Sequence, residues 1–180
     1  CMTITQIFPL MQRSHGHAKV RFDMSNGQVR LRDLSQIGCA KAFLPQHHKA
    51  QSEVIFLNTA GGLTDQDQLC FEIVVGQGAN NTATTQTAER AYASRGLAAQ
   101  ARVLAQVGAG GRLDWLPQET ILFENSNLAR DTMIDLATDA SCLLVESVVL
   151  GRHAMGENLD AARLTDHRMV SRNGKPVWAD

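Results

Sequence analysis

A chain of 180 residues, 44% hydrophobic and 19% charged, suits one domain that buries roughly 70% of its unfolded surface, so it needs no staples. Its formal charge of -1 lacks the basic excess that a phosphate backbone demands, which argues against nucleic acid as a partner. Cys1, Cys39, Cys70 and Cys142 form no CxxC pair, no stretch approaches the roughly 20 apolar residues of a membrane helix, and the N-terminus lacks a secretory design; zinc, a disulfide framework and a membrane are disfavoured and a cytoplasmic setting is expected.

At the start of the chain Cys1 precedes Met2, which reads as a candidate native start. Over residues 18–34, Val20, Phe22 and Met24 alternate with charged residues, and Val29 and Leu31 do the same after Asn26-Gly27. A type I′ turn at Asn-Gly sets Met24 opposite Val29, Asp23 opposite Arg30 and Phe22 opposite Leu31. Val54 to Leu57 is continuously apolar, as a strand buried on both faces would be. Leu69, Phe71, Ile73 and Val75 alternate with Cys70, Glu72 and Val74, and Thr82 to Thr85 is rich in β-branched side chains. Further strand candidates are Ala101 to Val107, Arg112 to Leu116, Thr120 to Phe123, Thr132 to Leu136 and Leu143 to Leu150. Helix candidates are confined to Ala88–Ala93 and Asp160–Leu164, neither with a sustained 3.6-residue stripe. Asn173-Gly174 repeats the hairpin logic and sets Val170 opposite Val177 and Met169 opposite Trp178. Short spacing with Gly-, Asn- and Pro-rich punctuation predicts a mostly β domain of about ten strands. No linker, low-complexity segment or strict repeat divides residues 1–180, so they read as a single domain.

One segment resists a purely structural reading. In Trp115 to Phe123, WLPQETILF, Pro117 ends a strand at Leu116 or sits on an edge or bulge because it cannot donate to a central ladder, and Glu119 is left between two core-seeking stretches. A carboxylate so placed must be paired, neutral or open to a cleft. Asp67, Glu146 and Glu157 also sit beside apolar or Gly-rich segments; Glu146 interrupts Leu143 to Leu150 and asks for a partner such as Arg130 or Arg152. Structural ion pairs are the plainer reading of each acid, and a polar path lined by all of them is the functional one.

Familiar catalytic patterns are missing. Gly108 to Gly111 is not followed by the Lys-Ser/Thr of a P-loop and opens no apolar helix, so it reads as a strand connection. There is no G-x-S-x-G elbow, and no cysteine has a His beside it in sequence. His15 and His17, two apart, share one side of an extended chain in a geometry suited to Ni, Cu or Zn, whereas His47 and His48 point apart and His153 meets Glu157 only on a helix. Ordinary surface histidines remain the plainer reading of all of them.

WLPQETILF also stands in series with GCAKAFLP (Gly38 to Pro45), LNTAGGLTDQDQL (Leu57 to Leu69), TTQTAERAY (Thr84 to Tyr92) and LGRHAMGE (Leu150 to Glu157). In this order the strings resemble the UreD (UreH) family of urease accessory proteins from about Gln12 to the end, and the combination is specific although no single string is. The resemblance implies a helical-ladder-like stack of strands and a non-enzymatic role. Such proteins bind UreF-type and UreG-type accessory partners and apo-urease, and help deliver nickel, held only in transit, along an internal passage to the urease active site. By motif position it implies Asp67, Glu119, Glu146 and Glu157 as candidates for that path; oxygen ligands suit an ion that must be admitted and released. Asp65-Gln66 stands where the family has a small pair such as Gly-Gly, and Arg90, Ala91 and Ala93 replace a commoner lysine, aromatic or branched residue, and arginine. Family members are longer, so the chain is expected to lack a C-terminal portion. Two other readings stay open: a stand-alone nickel-binding protein using His15 and His17, and an acid-dependent hydrolase using two of the carboxylates.

Overall fold

The computed structural model describes residues 12–45, 52–152 and 155–180. Cys1, Met2, His47, His48 and His153 lie outside the described residues. The first hairpin forms as the sequence predicts. β1 (His15–Ser25) and β2 (Gln28–Gly38) meet antiparallel with Met24↔Val29, Asp23↔Arg30 and Phe22↔Leu31 in register. Asn26 (φ 50°) and Gly27 (φ 72°) supply the two left-handed residues that a type I′ turn requires.

From here the chain winds as a β-solenoid of about four turns with three flat walls. β3 (Ala40–Phe43) and β4 (Ser52–Asn58) complete the first turn. The next runs through β5 (Gln68–Val75), β6 (Asn80–Thr85) and β7 (Glu89–Ala91), the third through β8 (Ala99–Val107), β9 (Arg112–Trp115) and β10 (Thr120–Leu122). β11 (Ser126–Leu136), β12 (Ser141–Leu144) and β13 (Val148–Leu150) follow, and β14 (Ala162–Arg172) starts another turn before β15 (Lys175–Ala179) folds back on it. Three sheets result, in the orders β15-β14-β11-β8-β5-β1-β2, β12-β9-β6-β4-β3 and β13-β10-β7.

Parallel stacking explains the alternating apolar code. Each inward position lies over the same position one turn below, so Val20, Ile73, Ala105, Ile134 and Val170 form one column and Phe22, Val75, Val107 and Leu136 another. All of these side chains are buried. Phe56 stacks on Phe71 with centroids 4.6 Å apart and meets Trp115 edge-on at 6.3 Å, tying the first two walls together. At the corners the turns nest closely, with Gly108 N–H donating to Val75 O (2.8 Å) and Ala137 N–H to Val107 O (2.8 Å). A Cβ on Gly108 would lie 2.8 Å from Gln77 N, so the close approach requires glycine there.

Several local expectations change. Ala88–Ala93 is not a helix: Glu89–Ala91 forms β7 because β10 offers a parallel ladder that outweighs the helix propensity of alanine. The stretch at 160–164 likewise enters β14, whose Ala162 pairs with Ser126. No α-helix occurs among the described residues. The C-terminal hairpin forms with its expected turn, Asn173 (φ 49°) and Gly174 (φ 72°), but a bulge between Val170 and Ser171 moves the register by one, to Val170↔Trp178 and Met169↔Ala179. Val54 and Phe56 are buried while Ile55 and Leu57 are half-buried, so β4 buries one face only. Leu143 to Leu150 is two strands, broken at the corner that holds Glu146. Among the described residues fifteen strands stand where about ten were predicted, because three-residue corner strands carry too little periodicity to read.

Candidate functional site

The described interior is mostly apolar; Asn81, Asp67 and Ser126 are buried singly, and the other buried polar side chains gather along one column. In the short third wall, Glu89 lies in register with Thr120, and Thr120 with Val148. Alternation sends Glu89 and Thr120 inward with their buried neighbours Ala91 and Leu122. One turn below Glu89, the bridge Leu63↔Ala91 brings the Gly61-Gly62 corner underneath. There a void of about 20 Å³ opens among Phe56, Asn58, Gly61, Phe71, Thr85 and Glu89. It has room for one water-sized guest.

Glu89 is the most perturbed acid in the column. Its carboxylate accepts from Asn58 Nδ2 (3.2 and 3.3 Å) and from Arg90 N–H (3.1 Å). Removal of the carboxyl from water outweighs these bonds, and its pKa is pushed up to about 7. The residue as a whole is half-buried, and the enclosed carboxyl end sets the desolvation.

Above Thr120 the column becomes an ionic cluster. Arg130, on β11 over the inward column of Gly16, Leu69 and Ala101, donates from Nη1 to Thr120 Oγ1 (3.2 Å). Its other nitrogens reach Asp166 at 2.9 and 2.5 Å. Glu146, with 2% of its side chain exposed, accepts from Trp115 Nε1 (3.0 Å), Thr132 Oγ1 (2.9 Å) and Arg168 Nε (2.8 Å), with Arg130 at 3.7 Å. Arg168 also bonds Asp166 and Asp180. The Arg130 guanidinium beside Asp166 holds that carboxyl below its usual range against the opposing effect of burial, the largest single influence. The cluster borders an open groove of about 490 Å³ lined by Leu144, Val145, Glu146, Arg168, Val170 and Trp178.

Of the residues singled out in the sequence, Glu146 stands in this column, paired with Arg168 and near Arg130. Arg152 instead joins Glu157. Asp67 is buried as a turn clamp, its two oxygens accepting from Ser14 N–H (2.8 Å) and Thr64 N–H (2.9 Å). Gln66 takes φ 64° in that turn, so the Asp65-Gln66 pair still makes the bend, while Asp65 holds Arg13 at 3.2 Å. Glu119 is half-buried next to inward Thr120, and its backbone carbonyl accepts from Glu89 N–H (3.0 Å). Glu157 lies outside the column, clamping Arg152 (3.0 Å) and Glu124 N–H (3.3 Å). The Arg152 bond lowers the pKa of Glu157, and Arg152 itself caps the Phe123 ring at 4.4 Å.

His15 and His17 do share the outer face of β1, since Gly16 between them and Ala18 after them are buried. His17 Nε2 lies 3.3 Å from Glu72, which Lys19 also holds at 2.6 Å. No group of three or more His, Cys, Asp or Glu side chains poised for a metal ion occurs among the described residues. Burial pushes the Cys39, Cys70 and Cys142 thiols up, the opposite of an activated thiolate. Among the described residues no helix is long and apolar enough to cross a membrane.

Glu89, Asn58 and Thr120 escaped the sequence reading, which named Arg130 only as a partner for Glu146, a pairing met at 3.7 Å. Glu89 and Asn58 lie inside two of the quoted strings, yet a three-residue strand gives no alternation from which to read that Glu89 faces in. Arg130 carried a signal: it occupies the inward phase of β11, two residues from Leu128 and Thr132, where apolar side chains are the rule.

Residues 14–180 match the model of a family described as UreD urease accessory protein. A protein of Cereibacter sphaeroides strain ATCC 17023, named urease accessory protein UreD, is 56% identical over 174 residues, 97% of this chain and 63% of the relative. Proteins of the same name from Paracoccus denitrificans and Rhizobium etli are 49% and 39% identical, over 94% and 99% of this chain and 60% and 66% of their own lengths. The chain thus spans about three-fifths of the length of the curated relatives it matches.

Proposed function

The chain belongs to the UreD urease accessory protein family, and from that premise we propose that it serves urease maturation as a non-catalytic cytoplasmic scaffold. It binds apo-urease and the UreF-type and UreG-type accessory partners, and it passes nickel toward the urease active site. The single observation that carries the conduit reading is the inward polar column, Asn58, Glu89, Thr120, Arg130 and Glu146, running from a small void to an open groove.

The chemistry suits transit more than storage. Glu89 offers hard oxygen ligands, and a carboxyl that ionises near neutrality releases its proton as the cation enters. No convergent His/Cys cage forms among the described residues. Glu146 is engaged by Arg168 and Arg130, so an ion passing there has to displace a guanidinium. That competition makes the cluster a gate at the groove end. Asp67, Glu119 and Glu157 take supporting parts in this reading: Asp67 fixes the turn that follows Thr64, Glu119 holds the backbone of Glu89, and Glu157 braces the outer corner.

Co-expression with urease and its other accessory proteins tests the proposal. Co-purification with the UreF-type and UreG-type partners and nickel loading of urease that falls in Glu89→Gln are expected. Normal loading by Glu89→Gln together with Glu146→Gln would sink the conduit, and failure to bind any of these partners would sink the scaffold role.

A further inference from the structure

Among the described residues β2 forms one edge of the seven-stranded sheet, and it is an unusual edge. The opposite edge strand, β15, is five residues long and contains Pro176, a conventional defence against further pairing. β2 is eleven residues long and exposed throughout, with only Val29 half-buried. Leu31 and Leu34, opposite Phe22 and Val20, extend the apolar inner face of the sheet past the wall that covers it and are 37% and 38% exposed.

Two observations fix which backbone groups face outward. Ser25↔Gln28 closes the two-residue turn, and Cys39 N–H donates to His15 O (3.1 Å) at the far end. Alternation between these hydrogen-bonded positions, allowing for the extra residue Arg32 at the bulge, directs the N–H and C=O groups of Val29, Leu31, Leu34 and Gln36 to the free edge.

We propose that this edge is an interface between two copies of the chain, joined antiparallel through β2 about a two-fold axis between Arg32 and Asp33. In that register Leu31 faces the partner's Leu34, Val29 faces the partner's Gln36, and Arg32 faces the partner's Asp33, each contact occurring twice by symmetry. Outward-facing backbone groups meet, and the apolar and charged side chains fall on matching faces. The bulge makes the register unique: a slip of two residues sets Leu31 against the partner's Arg32, or Leu34 against the partner's Asp33. Mixed charge at an edge ordinarily discourages pairing. Here the two signs are adjacent, so self-pairing matches them, with Arg32 turning from Asp23 of its own chain, 3.8 Å away, which Arg21 also holds.

Sedimentation velocity of the 180-residue chain, from about 1 to about 200 μM, reads the outcome against the range of weak, small interfaces. A concentration-dependent dimer is expected. Arg32→Asp or Asp33→Arg alone places like charges face to face twice and weakens association roughly ten-fold; the double exchange restores it to within roughly three-fold. As a check independent of charge, Leu31→Cys with Leu34→Cys gives a covalent dimer on oxidation that Leu31→Cys alone does not. A monomer throughout the range assigns the edge to another occupant or to none and overturns the proposal. So does a double exchange no tighter than the single ones, or a dimer that the paired cysteines fail to trap.

Discussion

Replacing Glu89 with Gln should make the protein more stable at high pH and leave it unchanged at low pH. Glu89 has its pKa raised from 4.5 to about 7 in the folded chain by desolvation. The folded state therefore binds more protons than the unfolded state between these values. Stability then falls as pH rises through that window. Below pH 4.5 the carboxyl is neutral in both states and costs nothing; above pH 7 it is charged in both, and the full penalty applies. The shift corresponds to about 3 kcal/mol at most, and about 2–3 kcal/mol after allowance for the partial exposure of the residue. Gln keeps an acceptor for Asn58 and Arg90 without the charge. Urea denaturation at about pH 4.5, 6, 7 and 8 should show the variant gaining on the wild type step by step, from near zero to that ceiling. A gain that does not vary with pH, or a loss at pH 8, would refute the assignment of an enclosed, desolvated carboxyl.

Glu146→Gln should cost about 3 kcal/mol, because Arg168 and Arg130 lose the charge between them while Asp166 and Asp180 compensate in part; denaturant midpoints measure it, and a loss under about 0.5 kcal/mol would contradict the pairing. Asp67→Ala should orphan the Ser14 and Thr64 amides and cost about 2 kcal/mol, with faster amide exchange at both positions. Leu128→Ala, in a fully packed inward column, should cost about 2–5 kcal/mol by the same denaturant assay. His15→Ala/His17→Ala should leave Ni²⁺ affinity unchanged by calorimetry, since His17 faces Glu72 and no third ligand converges among the described residues.

The long strands were legible because alternation over eight or more residues marks one buried face, as in Leu69, Phe71, Ile73 and Val75. The Asn-Gly turns were legible because two consecutive left-handed residues admit few others. What failed was short or context-dependent: β7 lost to alanine propensity, and the bulge at Val170 was invisible to a turn-based register. Family kinship was legible in the ordered strings, and it holds across residues 14–180.

The candidate site divides in the same way. Glu146 stood out because one acid in an apolar run must find a partner, and it found Arg168, which lies 22 residues away, with the expected Arg130 at 3.7 Å. Arg152, nearer in sequence, sits at an outer corner with Glu157. Glu119 stood out too, yet its alternation phase turns Thr120 rather than itself inward.

The sequence by itself determined the β class, the two hairpin turns, the inward apolar code and the family, because each rests on neighbours a few residues apart or on strings in fixed order. Tertiary structure alone decided that Asn58, Glu89, Thr120, Arg130 and Glu146 form one column. The reason is the coil: each turn consumes about thirty residues yet advances only about 4.8 Å, the spacing of hydrogen-bonded strands. Groups distant along the chain are thereby brought together, Glu89 with Thr120 by strand register and Asn58, Arg130 and Glu146 by the meeting of walls, neither of which local sequence sets.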